Sequence, residues 1–210
     1  MAGDVKRRYD ASRRQEQARE NRRRMLDSAR RLFLERGYAD TAMPEIAKAS
    51  GVSVQTVYKT FANKATLLKA VFDVSVAGDD EPVPMAERDM IGAIQAEPDA
   101  TRKITMYLSH LAETAPRTFP VQLLARDAAA ADPAAAEVYA QMRQEMLTGM
   151  TMFAADLAAT GQVRVSKEDT RDILWTYHSA EIYELLVLER GWSTERYGGF
   201  LTEAVLSALL

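Results

Sequence analysis

The chain of 210 residues lacks cysteine and has only two histidines, His110 and His178. The absence of cysteine excludes disulfides, thiolate nucleophiles and cysteine-rich zinc sites, and it is typical of a cytoplasmic protein. Neither histidine has a second histidine at ligand spacing. We therefore expect no metal site.

Motifs of catalysis and of membrane insertion are also missing. There is no G-x-S-x-G elbow, no P-loop and no glycine-rich nucleotide fingerprint, so we assign no catalytic residue and no cofactor, and predict that the chain is not an enzyme. No apolar run approaches the ~18 residues of a membrane span, and the charged N-terminus lacks the apolar core of a secretory signal. These absences predict a soluble, cytoplasmic protein with no membrane partner.

Charge is divided unevenly along the chain, although the net charge is only -3. Residues 1–70 contain 16 Lys and Arg against 8 Asp and Glu, whereas residues 71–210 contain 11 against 22. Such segregation favours a nucleic-acid-facing N-terminal part and a body that does not touch phosphate. The alternative is that helical surfaces simply carry clusters of charge.

The stretch from Pro44 to Phe61 has the pattern of two short helices joined by a turn. Pro44 suits a first helical turn, Gly51 suits the left-handed end of a helix, and Ser53 can cap the next helix. Val54, Val57 and Phe61 are spaced to face inward. The pattern suits a helix-turn-helix whose second helix enters the major groove, but an ordinary helical hairpin is an equal alternative.

The outer face of the second helix carries hydrogen-bonding side chains, one cation and no acid. These side chains are Gln55, Thr56, Tyr58, Lys59 and Thr60. Such groups can meet base edges or phosphates.

Three separate segments resemble the DNA-binding domain of the TetR family of bacterial transcriptional regulators. They are MLDSARRLFLERGY at 25–38, EIAKASGVS at 45–53 and TVYKTFANKATLL at 56–68. The resemblance implies a DNA-binding domain over residues 21–76, with Tyr58 and Lys64 at phosphate-contacting positions. Two departures are Ala42, where the family usually has a capping Thr for which Thr41 could substitute, and Ala65, where an acid is usual.

Residues 1–20 form a basic lead-in, predicted to be a partly disordered arm or a helix extension. Disorder is expected for about the first ten residues, and a possible capping box at Ser12 and Gln15 predicts a helix from near Ser12 to Gly37. The predicted DNA contacts are Arg22, Arg23, Thr41, Ser53, Gln55, Thr56, Tyr58, Lys59, Thr60 and Lys64.

Residues 77–210 have helical patterns throughout and no convincing strand alternation, so the predicted fold is all-α. Helices are predicted at about 84–95, 101–115, 121–131, 133–160, 167–190 and 194–209, with Pro116 and Pro120 breaking the chain. The resemblance implies that this larger domain binds a ligand and that its last two helices pair with those of a second subunit.

A ligand pocket inside the body is also implied by the resemblance. The candidates combine a methionine stripe, aromatic rings and a few polar groups that suit an apolar or aromatic small molecule. They are Tyr107, His110, Phe119, Leu123, Arg126, Met146, Met150, Phe153, Trp175 and His178. Methionine at helical spacing is more often core than ligand site.

The sequence thus predicts a homodimeric repressor that binds a palindromic site on double-stranded DNA and is released by a small-molecule effector. One alternative is a DNA-binding regulator or architectural protein without ligand response. Another is a small-molecule-binding or catalytic helical protein in which the hairpin is incidental.

Overall fold

The structure is a computed structural model that describes the backbone of residues 2–210 and the side chains of residues 13–210. Ten α-helices follow one another in this part, and no strand occurs in it, so the predicted all-α fold is confirmed. They are α1 Ala2–Arg36, α2 Met43–Ser50, α3 Val54–Phe61, α4 Lys64–Ala77, α5 Asp89–Ala96, α6 Ala100–Ala129, α7 Pro133–Ala159, α8 Lys167–Tyr177, α9 Ala180–Tyr183 and α10 Thr194–Leu209. A 3₁₀ turn, Met85–Glu87, precedes α5, and a π-helical segment, Glu184–Glu189, follows α9. Among the described residues, none of the helices combines the length and apolarity needed to cross a membrane.

Two apolar cores hold the helices together. The first joins α1–α4 to the facing sides of α6 and α7, and it includes Phe33, Ile46, Phe61, Leu68, Val121 and Met142. The second lies wholly in the body, between α5 and α10, and includes Ile104, Phe119, Phe153, Leu174, Tyr197 and Val205. Because the first core includes residues of the body, α4 is packed directly on α6 and α7.

The first helix extends N-terminal of the start expected near Ser12, since α1 begins at Ala2. Two other expectations fall on residues whose side chains lie outside the described part of the chain. They are the capping box at Ser12 and the disorder of about the first ten residues. The predicted end is confirmed, because α1 stops at Arg36 and Gly37 follows with φ 83°.

Five helix starts are set by side-chain oxygens that accept backbone N–H groups of the first turn, and those of α3, α7, α8 and α10 confirm predicted starts. These N-caps are Ser53 of α3, Asn63 of α4, Asp132 of α7, Ser166 of α8 and Ser193 of α10.

The break predicted at Pro116 and Pro120 is wrong, because α6 passes through both prolines. Each proline lacks the N–H that would bond the carbonyl four residues earlier, and such a loss usually kinks or ends a helix. Here the helix is held by burial on both sides of the prolines, with Ala115 and Phe119 fully buried in the body core. Tertiary packing therefore overrides the local cost.

The single helix predicted for 167–190 is also wrong. α8 ends at Tyr177, and Ser179 is extended with ψ 142° before α9 begins. His178 lies at the break, and its Nδ1 is 2.6 Å from the Tyr107 hydroxyl. This bond ties the break to α6.

Candidate nucleic-acid interface

The helix-turn-helix is assembled on the inner faces of α2 and α3. Ile46 and Ala47 of α2 and Val57 and Phe61 of α3 are buried in the first core. Gly51 links the helices in the left-handed conformation, with φ 67°. Val54 was expected to face inward, but it is 39% exposed.

The outward side of α3 presents the polar groups that the sequence predicts. Gln55, Tyr58 and Lys59 are exposed, and none has a hydrogen-bond or ion-pair partner within the side chains described. Their donors and acceptors are therefore available to another molecule.

Three hydroxyl groups beside them are already bonded to the helix. Ser53 Oγ accepts the Thr56 N–H at 3.1 Å and lies 2.7 Å from Thr56 Oγ1. Thr60 donates its hydroxyl proton to the Thr56 carbonyl at 2.9 Å. These hydrogen bonds stabilise α3, so the three hydroxyl groups are less free to bind another molecule than Gln55, Tyr58 and Lys59.

The DNA contact predicted for Thr41 is wrong, because this residue is 1% exposed. Its hydroxyl donates inward, to the carbonyl oxygens of Gly37 at 2.8 Å and Leu32 at 3.3 Å. Nor does Thr41 cap α2. The N-cap is Ala42, whose N–H is bonded instead by the Glu45 carboxylate at 3.0 Å.

Lys64 is held against the end of α1. Its Nζ donates to the Tyr38 carbonyl at 2.7 Å and lies 4.2 Å from the centre of the Tyr38 ring. The Tyr38 hydroxyl in turn donates to the Asp132 carboxylate at 2.8 Å. Burial, together with this hydrogen bond, raises the Tyr38 pKa, so the phenol is neutral at physiological pH. Lys64 is therefore part of a chain of contacts that reaches the N-terminus of α7.

The two arginines predicted to reach DNA have different surroundings. Arg22 Nε donates to Asp80 at 2.8 Å, and its guanidinium lies 4.9 Å from the centre of the Phe61 ring. Arg23 pairs with Glu20 on the same exposed helix face at 2.9 Å. Asp80 belongs to the acidic loop after α4, so this loop is tied to α1 just after the basic lead-in.

The polar contacts by which α6 of the body holds the end of α4 are not predicted from the sequence. Arg117 of α6 donates to the carbonyls of Ser75 at 2.8 Å and Val76 at 3.2 Å, and Thr118 donates to Ser75 at 2.9 Å. These carbonyls belong to the last turn of α4, where a cation is favoured by the helix dipole. In the sequence, Arg117 and Thr118 stand between Pro116 and Pro120. The two prolines predict a break in the helix, so the polar residues between them do not indicate a contact with α4.

Most of the predicted pocket residues fill the body core. The Tyr107 and Phe153 ring centres are 4.6 Å apart, and Phe119 lies edge-on to His178. Burial lowers the His178 pKa to about 4, so its ring is neutral. Leu123 and Met150 are buried in the same core. None of these residues lines either of two cavities found among the described side chains.

Arg126 and His110 do not join a cavity either. Arg126 forms a bidentate pair with Glu184 at 2.8 and 3.0 Å, which occupies the guanidinium expected to hold a ligand. His110 is half-buried on α6, and burial lowers its pKa.

Met146 and Trp175 are predicted pocket residues that line one of these two cavities. It has a volume of about 260 Å³, lies between α6, α7, α8 and α9, and is also lined by Gln122, Arg143, Ser179 and Glu181. A wider groove of about 900 Å³ runs between α6 and α10.

The apolar residues of the last helices are now divided between core and surface. Leu174, Leu201, Val205 and Leu209 are buried in the body core. Leu185 and Leu188 of the π-helical segment are each 54% exposed, and Phe200 of α10 is 39% exposed. The three outward side chains lie on two elements that pack against each other.

Comparison with known proteins confirms the family resemblance for the N-terminal part. Residues 25–71 match the model of the family described as bacterial regulatory proteins, tetR family. The chain is 38% identical over 60 residues to the transcriptional regulator AcrR of Shigella flexneri and 40% identical over 58 residues to TtgR of Pseudomonas putida. The matches cover 29% and 28% of this chain and only 28% of each relative.

The fold likeness extends over nearly the whole chain. The regulator FadR of Bacillus subtilis, solved in complex with stearoyl-CoA, superposes with a TM-score of 0.69 over 89% of this chain and 98% of its own. The two sequences are 19% identical, so this likeness concerns the fold alone. All three proteins are named as transcriptional regulators, in agreement with the prediction that the chain is not an enzyme.

Proposed function

We propose, from the premise that residues 25–71 form a TetR-family DNA-binding domain, that the chain is a homodimeric transcriptional repressor released from DNA by a small molecule. The observation that carries this is the outward side of α3. Gln55, Tyr58 and Lys59 are exposed and unpaired within the described part, and no acid of α3 opposes them.

In this proposal α3 lies in the major groove. Gln55 suits adenine and Lys59 suits guanine, whereas Tyr58 and Lys64 contact phosphates and set the register. Lys64 can do so only by sharing or leaving the Tyr38 carbonyl that it bonds. Arg22 likewise exchanges Asp80 for phosphate.

Dimerisation is supported by the exposure of Leu185, Leu188 and Phe200 on two elements that pack against each other. Large exposed apolar side chains on neighbouring elements are a feature of protein interfaces. A dimer presents two recognition helices to half-sites about 34–36 Å apart, so the operator is a near-palindrome.

Ligand response is supported by the path from the 260 Å³ cavity to α4. Gln122 lines the cavity and lies one helical turn from Thr118, which with Arg117 bonds the end of α4. A ligand that binds better when α6 is displaced shifts α4 and with it the recognition helix. A cavity of this size suits a small metabolite and not an acyl-CoA.

The alternative of a DNA-binding regulator without an effector is favoured by one observation. The aromatic residues predicted to surround a ligand are packed against one another, with Phe119 fully buried. In that case operator affinity is unchanged by any metabolite.

The test is selection of bound fragments from random DNA with the full chain, followed by sequencing. We expect an enriched site with two-fold symmetry and strongly salt-dependent binding. A single asymmetric half-site would contradict the dimer, and no enrichment would contradict sequence-specific binding. A cytoplasmic location follows from the proposed access to chromosomal DNA.

A further inference from the structure

A buried amide in the body has no partner. Gln122 is 4% exposed, and its Oε1 accepts no hydrogen bond from any described residue. An unsatisfied buried acceptor costs the desolvation of that group, and such atoms are rare in native proteins. Gln122 also lines the 260 Å³ cavity, but Oε1 itself is sealed from it, so a molecule in the cavity supplies the missing donor only after the Gln122 side chain rotates towards it.

We propose that this cavity binds a free α-amino acid with an apolar side chain. The inference rests on the proposed function, because it names the class of effector. An amino acid has an ammonium donor, a carboxylate acceptor and an apolar body, and the wall of the cavity offers a counterpart to each.

The ammonium counterparts are the Glu181 carboxylate and, after the Gln122 side chain rotates towards the cavity, Gln122 Oε1. Glu181 lines the same cavity, and its carboxylate has no hydrogen bond or ion pair with any described residue. Together they present an anion and a neutral acceptor, which is the set that a protonated amine requires.

The carboxylate counterpart is Arg143. Its guanidinium is stacked 5.0 Å from the centre of the Trp175 ring and has no carboxylate partner among the described residues. Its one side-chain hydrogen bond is a long one, 3.5 Å, to the Tyr139 hydroxyl. Stacking on a ring leaves the edge of the guanidinium free to bind a carboxylate in bidentate fashion.

The apolar side chain of the ligand would lie on Met146 and Trp175. Methionine adapts to varied apolar shapes, and the indole offers a flat surface. The cavity volume is slightly below the ~300–1,000 Å³ of drug-sized ligand pockets, which favours a molecule as small as a single amino acid.

The charge of the wall argues against a ligand with one charge. Arg143 and Glu181 are of opposite sign, so a simple amine leaves the guanidinium without an anion and a simple acid leaves the carboxylate without a cation. A zwitterion satisfies both. Each lost charge-assisted hydrogen bond corresponds to about a tenfold loss of affinity or more.

Titration calorimetry on the full chain at pH 7 tests this with L-leucine, L-phenylalanine and L-tryptophan, and with phenethylamine and 3-phenylpropanoate as single-charge analogues of phenylalanine. We expect at least one amino acid to bind. Phenylalanine should bind at least about ten times more tightly than either analogue. Failure of all three amino acids at millimolar concentration would overturn the proposal, and so would equal binding of phenylalanine and its analogues.

Two variants separate ligand contact from a structural role. Glu181→Gln should weaken phenylalanine and phenethylamine binding but not that of 3-phenylpropanoate, whereas Arg143→Met should show the reverse selectivity. Glu137→Gln, an exposed acid on the same helix as Arg143, is the matched control and should change none of the three. An equal loss for all ligands in both variants would mean that these residues only support the fold.

Gln122→Met gives an independent check, because replacing a buried unsatisfied amide by an apolar side chain does not destabilise the fold. It should lower phenylalanine affinity about tenfold while thermal stability is kept or raised. DNA selection with the same protein separates the two levels of inference. Operator binding without amino-acid binding would overturn the ligand class alone, and amino-acid binding without any DNA binding would overturn the proposed regulator.

Discussion

The guanidinium of Arg117 lies 2.8 Å from the carbonyl oxygen of Ser75, which places a cation of the body at the end of a helix of the DNA-binding domain. Gly78, just beyond, has φ 90°, and a Cβ built there would lie 3.2 Å from the same guanidinium. The contact therefore depends on a close approach between α4 and α6. It joins α6, which carries the cavity residue Gln122, to α4, which follows the recognition helix α3.

Replacing Arg117 by Met should loosen this joint. Two hydrogen bonds from a charged group to helix-end carbonyls are lost, so we expect the free energy of unfolding to fall by about 1–3 kcal/mol. Urea denaturation measures the change. Arg171→Met, which removes an exposed pair with Asp172, is the control and should have no measurable effect. A loss no larger than that of the control would mean that the joint adds nothing to stability.

Lys59 and Lys64 should behave differently when each is replaced by Ala. Lys59 has no partner within the described residues, so its loss should weaken DNA binding and leave stability unchanged. Lys64 bonds the Tyr38 carbonyl, so its loss should also lower the free energy of unfolding, by about 1 kcal/mol. Salt-dependent DNA binding and urea denaturation, measured on both variants, test the pair. The salt slope is the slope of the logarithm of the DNA-binding constant against the logarithm of the salt concentration. If Lys64→Ala left stability intact but made this slope shallower, Lys64 would be a phosphate ligand only.

Asp80→Asn should strengthen DNA binding. Asp80 neutralises Arg22 at 2.8 Å, and its removal frees a cation that phosphate can then bind. We expect a tighter complex and a salt slope steeper by about one unit, measured with non-operator DNA between low and physiological salt. Asp40→Asn is the charge-matched control, because Asp40 lies at the α1–α2 turn and forms no ion pair with any described residue. An equal gain in both variants would assign the effect to net charge and not to Arg22.

Local features of the chain could be predicted, and long-range contacts could not. The N-caps Ser53 and Asn63 bond groups within the next three residues, so short patterns reveal them. The inward hydroxyl of Thr41 depends on how the turn after α1 folds back on that helix, and the unbroken course of α6 past Pro116 is decided by neighbours distant in sequence. The outward residues of α3 followed from helical period, except that Val54 is exposed at the first turn. Gln122 was not foreseen, because a glutamine signals a site only when its burial and lack of partner are known.

The body core should be sensitive to acid through His178. Burial lowers its pKa in the folded chain to about 4, whereas the unfolded value is near 6.5. Between these values the unfolded chain binds more protons, so the stabilising contribution of neutral His178 is complete above about pH 6.5 and falls as the pH drops towards 4.

His178→Gln keeps a polar partner for Tyr107 but does not titrate. Unfolding free energies of wild type and variant, measured by denaturant from pH 7.5 to 4.5, should therefore converge as the pH falls, because carboxylate titrations are common to both. A constant difference across this range would mean that His178 does not titrate with folding. The comparison therefore measures the contribution of one titrating group, the His178 imidazole, to the pH dependence of stability. This group lies at the break between α8 and α9 and contacts α6, the helix that carries Gln122 and Arg117.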